Sequence, residues 1–145
     1  MIRRGGVVCF PTRCLYGLGA DAFDRNAVER VFEIKKRSKA KPLLVLIPDR
    51  DVLPAIAQEV SPAAVRIMDK FWPGKVSLVF KAQKRVPDNL TAMTVKIGVR
   101  LPGHPVAAAL VEKVGRPITG TSANLSGQPG CSRIEDLAAG VLECV

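Results

Sequence analysis

The sequence predicts an α/β fold in which a mixed parallel and antiparallel sheet is flanked by helices. Three observations lead there. Short apolar runs, Val7–Phe10 and Leu43–Ile47, are bounded by Gly, Pro and Asp, as buried strands are. Segments with apolar residues three and four apart alternate with them, as helices with one buried face require. Two strand-like stretches, 76–81 and 95–100, follow one another with no helical pattern between them, so part of the sheet is expected to be antiparallel.

Each element has a local reason. Gly5-Gly6 leads into Val7–Phe10, a continuous apolar run ended by Pro11 and read as a buried strand. Pro11–Gly19 reads as a loop, with Gly17 and Gly19 as turn residues. A helix follows, capped by Asp24 or Asn26, with Val28, Val31, Phe32 and Lys35 on spacings of three and four. Pro42 bars Lys41 from helix, and Leu43–Ile47 is a second buried strand. Asp51–Gln58 reads as a short helix. Ser61-Pro62 supplies an N-cap and a first-turn proline for a helix through Phe71, which Trp72-Pro73-Gly74 stops. Val76–Lys81 alternates, with Ser77, Val79 and Lys81 on one face, and Val95–Arg100 is a further strand. His104-Pro105 opens a helix over Val106–Val114 that Gly115 closes, Pro117–Thr119 is a last short strand, and Ile134–Leu142 a closing helix.

Length and composition frame the function. The 145 residues suit one domain, 1–145, with no repeat or linker to divide it. No apolar run approaches the ~20 residues of a membrane span, and the run after the basic N-terminus is too short for a signal peptide. A soluble, cytoplasmic protein without membrane contact is expected. Cys9, Cys14, Cys131 and Cys144 form no Cys-x-x-Cys pair, and one lone His is a poor complement for zinc, so neither a structural metal nor a disulfide framework is expected. Cys9 reads as a small core residue. The net charge of +9 fits either a solubilising surface or an anionic ligand such as nucleotide phosphates, a carboxylate or RNA.

Two polar clusters carry the chemistry. Thr121-Ser122-Ala123-Asn124-Leu125-Ser126-Gly127 follows a β-favouring stretch, where ligands gather at the ends of strands in α/β sheets. Its side chains could otherwise satisfy only local backbone. Five basic residues fall within Lys35–Lys41 with no acid among them. Cations at a helix C-terminus stabilise the helix on their own account. As a ligand site, Lys35 and Arg37 would instead form a polyphosphate clamp, a compact charge beside a planar fork. The cluster is not a P-loop, and no Gly-x-Gly-x-x-Gly fingerprint is present. In the first loop, Thr12 and Tyr16 offer hydroxyls. Arg100 is a candidate anchor for a carboxylate or phosphate, and His104 is either a further site residue or a loop residue before a helix. Trp72 reads as core packing at a helix end. No Ser-His-Asp or Cys-His arrangement and no pair of acids stands out, so an enzyme built on these residues works by positioning charged substrates, as nucleotidyl transfer with Mg²⁺ does.

Taken together these segments resemble the threonylcarbamoyl-AMP synthase family, the Sua5/YrdC/YciO group. The matching residues run in order: Gly5-Gly6-Val7-Val8 with Phe10-Pro11-Thr12 and Tyr16-Gly17-Leu18-Gly19, Lys35-x-Arg37 with Lys41-Pro42-Leu43, Phe71-Trp72-Pro73-Gly74, Arg100-x-Pro102-x-His104-Pro105, and Ser122-Ala123-Asn124-x-Ser126-Gly127. The resemblance implies a twisted sheet around a deep basic cavity, the YrdC-like fold. It implies synthesis of threonylcarbamoyl-adenylate from L-threonine, bicarbonate and ATP with Mg²⁺, releasing pyrophosphate, for the t⁶A modification of tRNA. By motif, Lys35, Arg37, Ser122 and Asn124 would bind ATP, and Thr12, Arg100 and His104 would belong to the threonine end. tRNA or double-stranded RNA is an implied partner. The alternative is a YciO-like RNA- or nucleotide-binding protein without synthase activity. The chain departs from the family at Arg13, where Glu or Asp is usual, at Cys14 and at Ser38, and fewer residues than usual follow Ser126-Gly127, as in a compact variant or a truncated product. Alanine at Lys35 or Ser122 is expected to weaken ATP binding with little loss of fold.

Overall fold

The computed structural model describes all 145 residues. Six strands form one sheet in the order β1-β2-β6-β3-β5-β4: β1 Val8–Pro11, β2 Tyr16–Gly19, β3 Leu44–Leu46, β4 Leu78–Lys81, β5 Lys96–Arg100 and β6 Ile118–Ser122. Only β3 and β5 run parallel; every other pairing is antiparallel. The expected mixed sheet is therefore observed, with β4 and β5 as its antiparallel pair at one edge.

Helices cover both faces, unequally. Successive residues of a strand point to opposite sides. Val45 and Ile47 of the β3 segment thus enter a larger core with Leu18, Phe80, Ile97 and Val99. Helices α1 Arg25–Lys35, α2 Leu53–Ile56 and α3 Pro62–Phe71 close that core through Val28, Val31, Phe32, Ile56 and Met68. Leu46, Phe10 and Ile118 face the other way, and helix α4 Pro105–Val114 covers them with Ala107, Val111 and Val114. One helix cannot span six strands, so part of this second face stays open.

The caps follow the sequence closely. Of the two candidates for α1, Asp24 is the N-cap, its Oδ1 accepting from the amides of Asn26 at 2.9 Å and Ala27 at 3.1 Å. Ser61 Oγ accepts from Ala64 N at 3.2 Å, with Pro62 in the first turn of α3. Gly115 ends α4 at φ 70°. Trp72 is buried, and its indole N–H donates to the Val76 carbonyl at 2.7 Å, as a core role requires.

Four expectations are corrected. The first strand lies at the sheet edge, with Phe10 as its one buried residue, because only β2 pairs with it. Cys9 is half-buried against the larger core, and burial pushes its thiol up from the ordinary value. The stretch read as a loop through Gly19 contains β2, which forms a hairpin with β1. A Cβ on Gly19 would lie 2.8 Å from Phe10 Cε1 and 3.0 Å from Ile118 Cδ1, so crowding, not turning, requires that glycine. The last strand runs on to Ser122, placing Thr121 and Ser122 in the sheet. The closing helix is broken into a 3-10 turn, Ile134–Asp136, and a short helix α5, Ala139–Leu142. The extended step at Leu137–Ala138 lets both Leu137 and Val141 reach the larger core. All four cysteines are free, and no helix is long and apolar enough to cross a membrane.

Candidate functional site

The open part of the second sheet face is a cavity of about 550 Å³, within the usual range for small-molecule sites. Leu44, Leu46 and Gly120 form its floor, and Gly120 is small by necessity: a Cβ there would meet Leu46 Cγ at 2.7 Å. The turn of the β1–β2 hairpin supplies Thr12, Arg13 and Cys14, and the first residue of β2 supplies Tyr16. The loop after α3 supplies Lys75, the end of β5 Arg100, the start of α4 His104, and β6 Thr121 and Ser122.

Its electrostatics are one-sided. Arg13, Lys75 and Arg100 line the cavity, no Asp or Glu does, and none of the three cations enters an ion pair. Arg100 is half-buried, and desolvation holds its guanidinium below the usual arginine value. Its Nε donates to Ser77 Oγ at 2.9 Å, and no protein acceptor takes its two terminal nitrogens. A planar fork fixed from behind with its tips unengaged is an anion receptor. His104 is the N-cap residue of α4, yet it makes no side-chain cap, and its Nδ1 is enclosed without a protein partner. Thr12 Oγ1 donates to the Leu15 carbonyl at 2.5 Å, which tightens the hairpin turn and leaves the hydroxyl lone pairs for a ligand.

The other sequence-derived candidates lie behind this wall. Lys35 is 2% exposed and does not line the cavity. Its ammonium donates to the carbonyl of Ser122, to the carbonyl of Asn124 at 2.8 Å and to Asn124 Oδ1 at 3.2 Å. Burial, with the charge of Arg37 adding to it, pulls that ammonium down to about 8. Asn124 completes the knot: its Oδ1 accepts from the Ser122 hydroxyl, and its Nδ2 donates to the Leu125 carbonyl at 2.9 Å and the Gln128 carbonyl at 2.6 Å. Arg37 folds onto its own loop, donating to the carbonyls of Lys41 at 3.2 Å and Pro42 at 3.0 Å. The fold thus brings Thr12, Arg100, His104 and Ser122 together in one cavity, and ties Lys35 and Asn124 into the loop that supports Ser122. Arg37 stands apart. Alanine at Lys35 would take the donor from the part-buried Asn124 carbonyl, while the Ser122 carbonyl still accepts from Asn124 N at 3.0 Å, so the structure gives this position a tethering role that the sequence does not reveal.

Arg13, Lys75 and Gly120 line the cavity and Ser77 backs it through Arg100, with no site role given to any of them by the sequence. Lys75 has one available signal, its place just after the Trp-Pro-Gly stop. Gly120 and Ser77 have none, because their importance is set by neighbours distant in the chain. No group of three or more His, Cys, Asp or Glu side chains could hold a metal ion, and the cavity offers no carboxylate. These donors do not suit a resident Mg²⁺.

A family model described as "Telomere recombination", that of Sua5, YciO and YrdC, matches residues 1–145. The threonylcarbamoyl-AMP synthase of Pyrococcus abyssi is 40% identical over 147 residues, covering 99% of this chain and 43% of that protein. The crystal structure of P. abyssi Sua5 complexed with L-threonine superposes with a TM-score of 0.90 at 39% identity, covering 99% of this chain and 41% of that one. The crystal structure of E. coli YciO gives a TM-score of 0.75 at 34% identity, covering 88% of this chain and 62% of that one. The chain spans about two-fifths of the length of the first synthases it matches.

Proposed function

The chain belongs to the Sua5/YciO/YrdC family, and from that premise we propose that it forms threonylcarbamoyl-adenylate from L-threonine, bicarbonate and ATP. One observation carries the reading. Arg100 sits half-buried in a cavity without carboxylates, steered by Ser77 and with both terminal nitrogens unengaged. That is a receptor for a small carboxylate, and a relative solved with L-threonine shares the fold at 39% identity.

On this reading Arg100 takes the threonine carboxylate as a bidentate pair. Thr12 and His104, on the same cavity wall, meet the rest of the amino acid. Ser122 presents its hydroxyl from the last residue of β6 to the nucleotide, and Lys35 and Asn124 act by holding that strand end in place. The threonine amine takes up bicarbonate as a carbamate with loss of water, and a carbamate oxygen then attacks the α-phosphorus of ATP and displaces pyrophosphate. The work left to the protein is orientation and charge stabilisation. Mg²⁺ enters as part of the substrate, carried on the ATP phosphates. The product suits tRNA modification, with the tRNA itself as a further partner.

The deciding experiment incubates the chain with ATP, Mg²⁺, bicarbonate and labelled L-threonine and follows pyrophosphate and the labelled adenylate. Threonine-dependent release of both is expected. Folded protein that binds nucleotide or RNA in a salt-sensitive way, yet releases no pyrophosphate on addition of threonine, would establish the YciO-like alternative instead.

A further inference from the structure

From the packing behind the hairpin turn we infer that Gly130 is a positioning residue for the cavity: having no side chain, it leaves room behind Leu15 and keeps the cavity open for the amino-acid substrate. This rests on the reading of the cavity as a threonine site and adds a residue that does not touch the ligand.

Leu15 stands between Gly130 and the cavity. It lines the cavity at the end of the hairpin turn and is half-buried, whereas Gly130 does not line it. A Cβ on Gly130 would lie 2.6 Å from Leu15 Cδ1, 3.2 Å from Cδ2 and 3.4 Å from Cγ. Carbon atoms in contact stay about 3.5–4 Å apart, so the whole isobutyl group would have to move. The backbone itself does not call for glycine, because φ at Gly130 is not positive. Gly127 is the contrasting case: its φ is 87° and nothing lies within 4 Å of its Cβ position, so conformation alone explains it.

The main chains on either side cannot back away. The amide of Tyr16, which follows Leu15, donates to the carbonyl of Cys131, which follows Gly130, at 2.8 Å. The Tyr16 carbonyl accepts from Ala123 N at 2.8 Å, and the buried Cys131 thiol donates to the Ala123 carbonyl at 3.5 Å. The Leu15 carbonyl accepts from Thr12 N at 3.0 Å and from the Thr12 hydroxyl. With both backbones tied, a methyl group at position 130 is absorbed by the Leu15 side chain. The open direction for that side chain is the cavity, on the wall that also carries Thr12.

The test uses the full chain as Gly130→Ala, Leu15→Ala and the double variant. Calorimetry measures L-threonine, thermal unfolding checks each fold, and a crystal structure of Gly130→Ala locates Leu15. Gly130→Ala should bind L-threonine roughly tenfold or more weakly, with Leu15 turned into the cavity. The double variant should bind within about twofold of Leu15→Ala, because the shortened side chain leaves space for the new methyl group. A lower unfolding midpoint for Gly130→Ala with wild-type threonine affinity would make the glycine merely structural and overturn the role. An equal loss on adding Gly130→Ala to wild type and to Leu15→Ala would overturn it as well. A wild-type chain that binds no threonine overturns the reading of the cavity instead. In that event the crystal structure of Gly130→Ala still decides: Leu15 turned into the cavity upholds the packing role, and Leu15 in its original place ends it.

Discussion

The ammonium of Lys35, in the last turn of α1, donates to the main-chain carbonyl of Asn124 at 2.8 Å, across 89 positions of sequence. The same lysine reaches the Ser122 carbonyl, and its own carbonyl accepts from Ser126 N at 2.7 Å. The end of a helix and the end of a strand are thereby held as one unit behind the cavity. Removing the side chain leaves the part-buried Asn124 carbonyl without its donor, at about 1–3 kcal/mol for such a loss. Lys35→Ala should therefore lower the unfolding free energy by that amount in urea denaturation. A variant as stable as wild type would remove the tether from the account.

The same lysine sets a pH dependence. Its ordinary value is 10.5, and burial brings it to about 8 in the fold. Below about 8 both folded and unfolded chains hold the proton, so this group contributes no slope. Between about 8 and 10.5 the unfolded chain keeps a proton that the folded chain has released, so stability rises with pH, by up to ~1.4 kcal/mol per unit. Wild type should thus gain on Lys35→Met between pH 8 and pH 10 in paired denaturation curves. A difference that stays flat or shrinks contradicts the buried ammonium.

Arg100 and Ser77 should separate into a binding role and a positioning role. Arg100→Ala removes a charge-assisted pair of about 1.5–3 kcal/mol, roughly 10- to 150-fold in L-threonine affinity. Arg100→Lys should recover only part, because a point charge cannot form the two-pronged contact. Ser77→Ala loses one neutral bond and should cost about 2- to 12-fold, with Ser77→Thr restoring it. Calorimetry on the three variants decides; Ser77→Ala with wild-type affinity would end the positioning role.

Gly19 is a packing requirement. A methyl group there would stand 2.8 Å from Phe10 Cε1 and 3.0 Å from Ile118 Cδ1, both buried. Gly19→Ala should lower stability by about 1–3 kcal/mol through overpacking between β1 and β6. Thermal unfolding measures it, and an unchanged midpoint would mean that Phe10 moves aside freely.

Much of the framework was legible because its signals are local. Asp24, Ser61-Pro62 and Gly115 set helix ends through contacts within four residues, and the apolar runs around Val45 and Val99 declare buried strands by composition alone. The hairpin strand Tyr16–Gly19 was not legible. Its glycines suggest a turn, and the crowding that explains them comes from Phe10 and from Ile118, about a hundred residues on. The site divided the same way. Residue type marked Arg100, His104, Thr12 and Ser122 as candidates, and they do share a cavity.

The amino-acid order by itself determined the α/β class, most element boundaries, the basic character and the family, since these depend on residue type and short spacing. Only the tertiary structure decided which cations face the cavity. Lys35 and Lys75 carry the same charge, and no local pattern says which is enclosed by carbonyls and which lines the cavity. That choice depends on where β6 ends relative to α1, a long-range packing outcome that neighbouring residues do not encode.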